Sequence, residues 1–388
     1  MIRLQPDNNR TQSQQPIWID TPSNLEQLYN HLCGERIVAV DTESDSLYSY
    51  FEKVCLIQFS THKADYLVDP LSMDISCLAE FFADPSVQKV FHAAEYDILS
   101  LKRDCDFTFA NLFDTMLAAK ILGWSRYGLG NILREHFGVT LDKRFQRYNW
   151  GQRPLSQKAL DYARLDTHYL LPLRKIQQGE LQRQHRQREA AEAFERQTQV
   201  LPSPKMFNPD DFWRIKGSRD LKPKQRAVLR ELFIVRDHIA RRIDRPPFKV
   251  MNDSTLVALA RRQPASPDDL KLIKGLSKNV LQHDSTDILE AIQTGRSVSP
   301  PRYSGYSNHR PDGDTLNRYE TLRHWRNTLA GERGVEPDVI ISNETLMHIA
   351  RRNPKNLNAL TKMKSLGDWQ REVYGQALLD VLKNGPSR

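Results

Sequence analysis

Ile37-Val38-Ala39-Val40-Asp41-Thr42-Glu43 decides the fold: an apolar run that ends in two carboxylates. On a strand, positions two apart share a face, so Asp41 and Glu43 point the same way. Working outward, short apolar or alternating runs predict strands at Ile17–Ile19, Arg36–Glu43, Val54–Ser60, Ala64–Val68 and Val87–Ala93. Only Thr61-His62-Lys63 separates the third from the fourth, so these two form a hairpin and the sheet is mixed. Helical spacing predicts helices at Ser23–Leu32, Ile75–Ala83, Glu95–Lys102, Asp114–Leu122 and Gly130–Phe137, and one long helix from Ser156 past Leu173. One mixed sheet with helices around it is an α/β domain.

The long helix carries the second informative stretch. Tyr162, Asp166, Tyr169 and Leu173 follow a 4-3-4 spacing and form one stripe. An ionised carboxylate on an aromatic and apolar face costs several kcal/mol unless it is paired or bound to metal. Arg164 can pair with Asp161 or its neighbours, but it projects from a different part of the helix than Asp166. Asp97 falls in the first turn of the helix after Val87–Ala93; by itself it reads as a partner of the helix dipole. Together, Asp41, Glu43, Asp97 and Asp166 make an oxygen-only donor set, which suits Mg²⁺ or Mn²⁺ over Zn²⁺. Two such cations can stabilise both the attacking and the leaving oxygen of an in-line displacement, with the Tyr162 hydroxyl placed to orient the attacking water. His92, Leu47 and Tyr48 are candidates for the slot of a terminal nucleotide, where flat or apolar side chains stack or wedge; each reads equally well as packing.

Composition sets the bounds. With 388 residues, 39% hydrophobic and 27% charged, the chain is long enough for two or three domains with real cores. No apolar stretch approaches the ~18–20 residues of a membrane span, and the first residues lack an apolar signal segment. Four cysteines without zinc spacing (Cys33, Cys55, Cys77, Cys105) fit a reducing cytoplasm. Residues 1–200 hold 23 Lys/Arg against 26 Asp/Glu, whereas residues 201–388 hold 33 against 22. The basic surplus thus lies in the C-terminal half, a handle for a polyanion attached to a slightly acidic catalytic unit.

That half is internally repeated. Pro202, Pro204 and Pro209 mark a boundary, after which Thr255-Leu256 recurs at Thr345-Leu346 and Ala260-Arg261-Arg262 at Ala350-Arg351-Arg352. Pro264/Pro354, Leu276/Leu366, Gly295/Gly385, Arg236/Arg326 and Pro247/Pro337 share the same offset of 90. A register this steady predicts a duplicated small helical domain. The organisation expected is a catalytic domain over 1–200, a first helical copy over 201–297, a linker over 298–313 rich in Ser, Pro, Gly and Tyr, and a second copy over 314–388. Arg261-Arg262, Arg351-Arg352 and the Lys271/Lys274/Lys278 set are candidate phosphate contacts.

Val40-Asp41-Thr42-Glu43, Phe91-His92 leading to Asp97, and the run from Asp161 through Tyr162 and Asp166 to Leu171 resemble the three exonuclease motifs of the DEDD superfamily. The Tyr-x-x-x-Asp pattern is that of its tyrosine subclass, and Asp161 stands where the histidine subclass has its His. Asn149-Trp150-Gly151-Gln152-Arg153-Pro154-Leu155 is similar to the corresponding stretch of bacterial ribonuclease D, and the repeat resembles paired helicase-and-RNase-D C-terminal (HRDC) domains. The resemblance covers roughly residues 16–385. It implies a ribonuclease H-like fold and a hydrolytic 3′→5′ exoribonuclease that releases nucleoside 5′-monophosphates and trims tRNA precursors and other small structured RNAs. It assigns Asp41, Glu43, Asp97 and Asp166 to the metals and Tyr162 to the water. The second repeat copy diverges from the first, which leaves its RNA-binding role open. A monomer without obligate protein partner, acting on RNA and away from membranes, is the expectation. The competing readings are a DNA 3′→5′ exonuclease and a non-catalytic RNA-binding protein on a vestigial nuclease fold.

Overall fold

The computed structural model describes residues 15–203, 206–303 and 311–384. Pro204, Gly385 and residues 304–310 of the expected linker lie outside them. The N-terminal region runs β1 (Ile17–Ile19), α1 (Pro22–Cys33), β2 (Ile37–Ser44), β3 (Val54–Ser60), β4 (Asp65–Val68), α2 (Leu78–Ala83), β5 (Gln88–Phe91), α3 (Glu95–Cys105), β6 (Leu112–Asp114), α4 (Thr115–Ile121), α5 (Leu129–Phe137), α6 (Gln157–His168), α7 (Leu170–Arg183) and α8 (Gln187–Thr198). The six strands form one sheet in the order β1-β4-β3-β2-β5-β6. β3 and β4 pair antiparallel as the hairpin predicts, whereas β1–β4, β2–β5 and β5–β6 are parallel. Every residue of β3 is buried, so the sheet is covered on both faces.

Two local expectations need correction. β6 was not expected: three residues are too few for a period-2 pattern, and only pairing with β5 (Phe91 opposite Asp114) defines the strand. The long helix after Ser156 is two helices. Tyr169, at φ −96° and ψ −1°, breaks the ladder between α6 and α7. The stripe from Tyr162 to Leu173 therefore crosses a bend, and only Tyr162 and Asp166 share one helix.

The helical repeat follows. Its first copy comprises α9 (Pro223–Arg242), α10 (Pro247–Val250), α11 (Asp253–Arg262), α12 (Pro267–Lys271), α13 (Lys278–His283) and α14 (Ser285–Ser297). The second comprises α15 (Gly313–Arg333), α16 (Pro337–Ile340), α17 (Asn343–Arg352), α18 (Leu357–Thr361) and α19 (Asp368–Asn384). The offset of 90 has a physical basis in a shared brace. The buried Arg236 donates to the Met251 carbonyl at 3.1 Å and to Asp253 at 2.7 Å, and Arg326 donates to the Ile341 carbonyl at 3.0 Å and to Asn343 at 2.8 Å. Gly295 allows α14 to cross α9 closely: a Cβ there would lie 2.4 Å from the Val228 Cα.

The molecule divides into two compact units that do not follow chain order. One holds the described parts of residues 1–43, 54–202 and 308–388; the other holds residues 44–53 and 203–307. The second repeat copy thus packs with the sheet domain. Arg333 reaches Glu189 at 2.5 Å, Lys120 reaches Asp338 at 3.1 Å, and the Trp369 amide donates to Glu192 at 2.6 Å. In the other unit, the 44–53 segment packs on the first copy through Tyr50, whose hydroxyl donates to Asp237 at 2.8 Å. No helix among the described residues is long and apolar enough to cross a membrane.

Candidate active site

The end of β2 supplies Asp41 and Glu43, both half-buried. The first turn of α3 supplies Asp97, and α6 supplies Tyr162 and Asp166. Asp97, Tyr162 and Asp166 are 6%, 8% and 7% exposed, so the wall to which α3 and α6 contribute is dry. Thr42 ties that wall to the strand: its amide and its hydroxyl both donate to Asp97 Oδ1, at 3.1 and 2.5 Å.

The negative charges of the four carboxylates act on one another. Asp41 is held well above the usual carboxylate range by burial, then by the negative charges of Asp97, Asp166 and Glu43. Burial, then Asp166 and Asp97, raises Glu43. Asp166 is pushed up to about 8 by burial and then by Asp97, and Asp97 to about 7 by burial, with the Thr42 hydrogen bonds opposing. Every pair among the four repels. Among the described residues, however, no three His, Cys, Asp or Glu side chains close into a single coordination shell. The mutual repulsion of buried carboxylates is what a bound cation would relieve. The donors are oxygen only and crowded with negative charge, which fits Mg²⁺ or Mn²⁺.

The Tyr162 ring is stacked on Phe145 (centroids 5.3 Å apart) and tilted against Trp150 (6.2 Å). Burial first, then the charges of Asp166, Glu43 and Asp41, raises its hydroxyl, so it stays a neutral phenol. It can orient water by hydrogen bonding; it cannot serve as a base.

His92, at the end of β5, is half-buried. Its Nδ1 lies 2.8 Å from Thr115 Oγ1, and that hydroxyl donates to the Phe91 carbonyl at 2.9 Å. Nδ1 therefore carries the proton and Nε2 keeps its lone pair. Burial lowers the imidazole to about 4, so it is neutral at physiological pH. Leu47 and Tyr48 belong to the other unit. Leu47 is exposed, and Tyr48 lies under Lys249 Nζ at 3.6 Å from the ring centre.

Sequence reading missed Asp114. Fully buried, its carboxylate accepts the Met116 and Leu117 amides, which caps α4, and also the Ala93 and Ala94 amides at 3.1 and 2.9 Å. Ala93 holds a left-handed φ of 63°, a strained state for a residue with a Cβ. Asp114 pins that strained turn and so sets where α3 begins and where Asp97 stands. The N-cap position of an Asp before an apolar run was the available signal. Also missed was the partner of Arg164: it pairs with Asp65 at 3.6 Å, and Asp161 instead accepts from Gln157.

The raised carboxylates give a signed prediction. The native state holds protons on Asp97 and Asp166 that the unfolded chain has released, so the metal-free fold loses stability as pH rises from about 4 toward 8. Asp166→Asn removes one of these charges. The difference in Tm between Asp166→Asn and wild type, measured in chelator, is expected to grow in favour of the variant from pH 5 to pH 8, at about 2–4 °C per kcal/mol. A difference that stays flat over that range contradicts the mutual repulsion of these carboxylates.

Comparison with known proteins bears on this geometry. Residues 16–182 match the family model of the 3'-5' exonuclease, and residues 225–292 and 315–382 each match the HRDC domain. The chain is 29% identical to a ribonuclease D of Gluconacetobacter diazotrophicus over 95% of its own length and 93% of that protein. It is 34% identical to the exosome complex exonuclease RRP6 of Saccharomyces cerevisiae over 69% of its length, but spans only 38% of that protein. The crystal structure of the catalytic core of RRP6 from Trypanosoma brucei superposes with a TM-score of 0.68 at 28% identity, covering 75% of this chain and 85% of that one.

Proposed function

Because the chain belongs to the ribonuclease D family of 3′–5′ exonucleases with HRDC domains, we propose that it is a divalent-metal-dependent 3′→5′ exoribonuclease. It removes nucleoside 5′-monophosphates hydrolytically and trims tRNA precursors and other small structured RNAs. The observation that carries the reading is the mutual repulsion of Asp41, Glu43, Asp97 and Asp166 beside a neutral tyrosine. These four carboxylates would hold two divalent cations, Mg²⁺ or Mn²⁺, whose bound presence supplies an activated water and charge stabilisation at the departing 3′ oxygen. Tyr162 holds the attacking water by its hydroxyl. Thr42 keeps Asp97 from turning away. His92 offers Nε2 as an acceptor toward the terminal nucleotide, and Leu47 and Tyr48 stand as further substrate contacts on their side-chain chemistry alone.

The basic C-terminal half serves as the RNA handle through the first repeat copy, where Lys271, Lys274 and Lys278 are exposed. At the equivalent positions the second copy has Thr361, Lys364 and Asp368. Replacing the three lysines by Glu is expected to lower the slope of log affinity against log salt by about 2 while the rate at saturating RNA holds, since each phosphate contact adds about 0.7 on single strands. An unchanged slope moves the handle elsewhere. We place the enzyme in the cytoplasm as a monomer, consistent with four unpaired cysteines.

Matched single-stranded RNA and DNA of one sequence, incubated with wild type and Asp166→Asn in Mn²⁺, test the function. Release of 5′-mononucleotides from RNA by wild type alone is expected. A clear DNA preference overturns the substrate class, and equal activity of the variant overturns the metal assignment.

A further inference from the structure

The helix that carries Tyr162 and Asp166 has a second face, and that face is charged and buried. At 3.6 residues per turn, Arg164 lies about 160° around α6 from both Tyr162 and Asp166, and His168 about 160° from Asp166 and about 120° from Tyr162. They are both 6% exposed, and the acid that meets them, Asp65 on β4, is 7% exposed. His168 Nδ1 lies 2.7 Å from Asp65 Oδ2, so that nitrogen carries the proton, and Arg164 Nη1 lies 3.6 Å from the same oxygen. Ser60, the last residue of β3, donates to Asp65 Oδ1 at 2.6 Å and shares a 2.7 Å hydrogen bond with Thr167. One carboxylate thus ties both strands of the hairpin to Arg164 and His168 and, through Ser60, to Thr167 of α6.

A buried network of this kind is a poor route to stability, because desolvating its charges offsets most of their attraction. It does fix geometry. α6 also packs on β3 and β4 through Ala159 and Ala163, small side chains that would let a helix roll. With side chains reaching ~5–6 Å from the axis, a roll of ~10° moves the Asp166 carboxylate and the Tyr162 hydroxyl by ~1 Å. A misplacement of that size costs on the order of 100-fold in rate.

We infer that Asp65, acting with Ser60 through His168 and Arg164, is a positioning residue for hydrolysis: it locks the rotation of α6 and so aims Tyr162 and Asp166. This rests on the reading of those two as catalytic. The assignment carries no step of its own, since none of the four groups needs to touch substrate.

The test is steady-state release of 5′-mononucleotides from single-stranded RNA by the full chain in saturating Mn²⁺. Asp65→Asn, which keeps the shape but not the charge, is expected to lower kcat about 10–100-fold with KM for RNA within about twofold. His168→Asn keeps a donor near the Nδ1 position and is expected to retain kcat within about threefold, whereas His168→Leu falls with Asp65→Asn. The His168 pair decides the matter if Asp65→Asn fails to fold by circular dichroism. The inference is overturned if folded Asp65→Asn keeps wild-type kcat, if the two His168 variants behave alike, or if activity merely follows the folded fraction. Asp166→Asn run in parallel separates the two levels: if it stays active, the reading of the site has failed. If it is inactive while Asp65→Asn and His168→Leu are not, only the positioning role has failed.

Discussion

Asp166→Asn is expected to abolish nucleotide release, by about 1,000-fold or more, while RNA affinity stays within a few-fold of wild type. The size follows from what the residue does: a loss of 10³ corresponds to about 4 kcal/mol of transition-state stabilisation, the scale on which a metal ligand acts. Binding is spared because Asp166 is itself a negative charge near a polyanion, so its neutralisation removes repulsion as well as ligation. Asp41→Ala is expected to behave alike, since Asp41 repels the other three carboxylates. The measurement pairs mononucleotide release with filter binding of the same RNA. A variant that loses binding and release together points to misfolding or a lost RNA contact. A variant that keeps release shows that this set of carboxylates does not carry the chemistry.

Arg333→Ala is expected to destabilise the first unit by about 3 kcal/mol or more, a fall in Tm of about 6–12 °C. Arg333 ends α15 and reaches into the sheet domain, where it holds Glu189 of α8 at 2.5 Å and also bonds the Tyr374 hydroxyl. Glu189 is 5% exposed and its carboxyl is already raised by burial, with Arg333 the chief opposing influence among charges and hydrogen bonds. Removing the arginine strands that acid. Arg333→Leu with Glu189→Leu is expected to recover most of the loss, because an apolar pair of similar volume avoids the desolvation cost. If the single variant costs less than about 1 kcal/mol, or the double costs as much as the single, the second copy is not docked through this pair. The aligned position in the first copy is Ile243, so this docking arginine belongs to the second copy alone. At this position the second copy's departure from the first goes with its contact with the sheet domain.

Much of this was legible in the chain. The strand ending in Asp41 and Glu43, the hairpin at Thr61–Lys63, and the offset of 90 are local or periodic signals, and each has its counterpart in the structure. The expected α/β domain with a mixed sheet, followed by two helical copies, is the architecture observed. Illegible were features whose cause lies in a remote neighbour. β6 exists because β5 offers it a ladder. The break at Tyr169 interrupts a pattern whose periodicity runs on unbroken. Asp114 reads as a helix cap, and only the fold reveals that it also accepts the amides of a strained turn 20 and 21 positions upstream.

What the sequence alone determined was the type and spacing of groups: which residues are acidic, which share a strand face or a helix face, and which half is basic. Those follow from side-chain chemistry and from the 2.0 and 3.6 periodicities, which act over a few residues. The tertiary structure alone decided that four carboxylates from β2, α3 and α6 repel one another, and that Asp65 grips the back of α6. It alone decided, too, that the second repeat copy joins the sheet domain. Coulomb repulsion and burial depend on distances in space, and those distances are set only when the sheet orders the strands out of chain sequence.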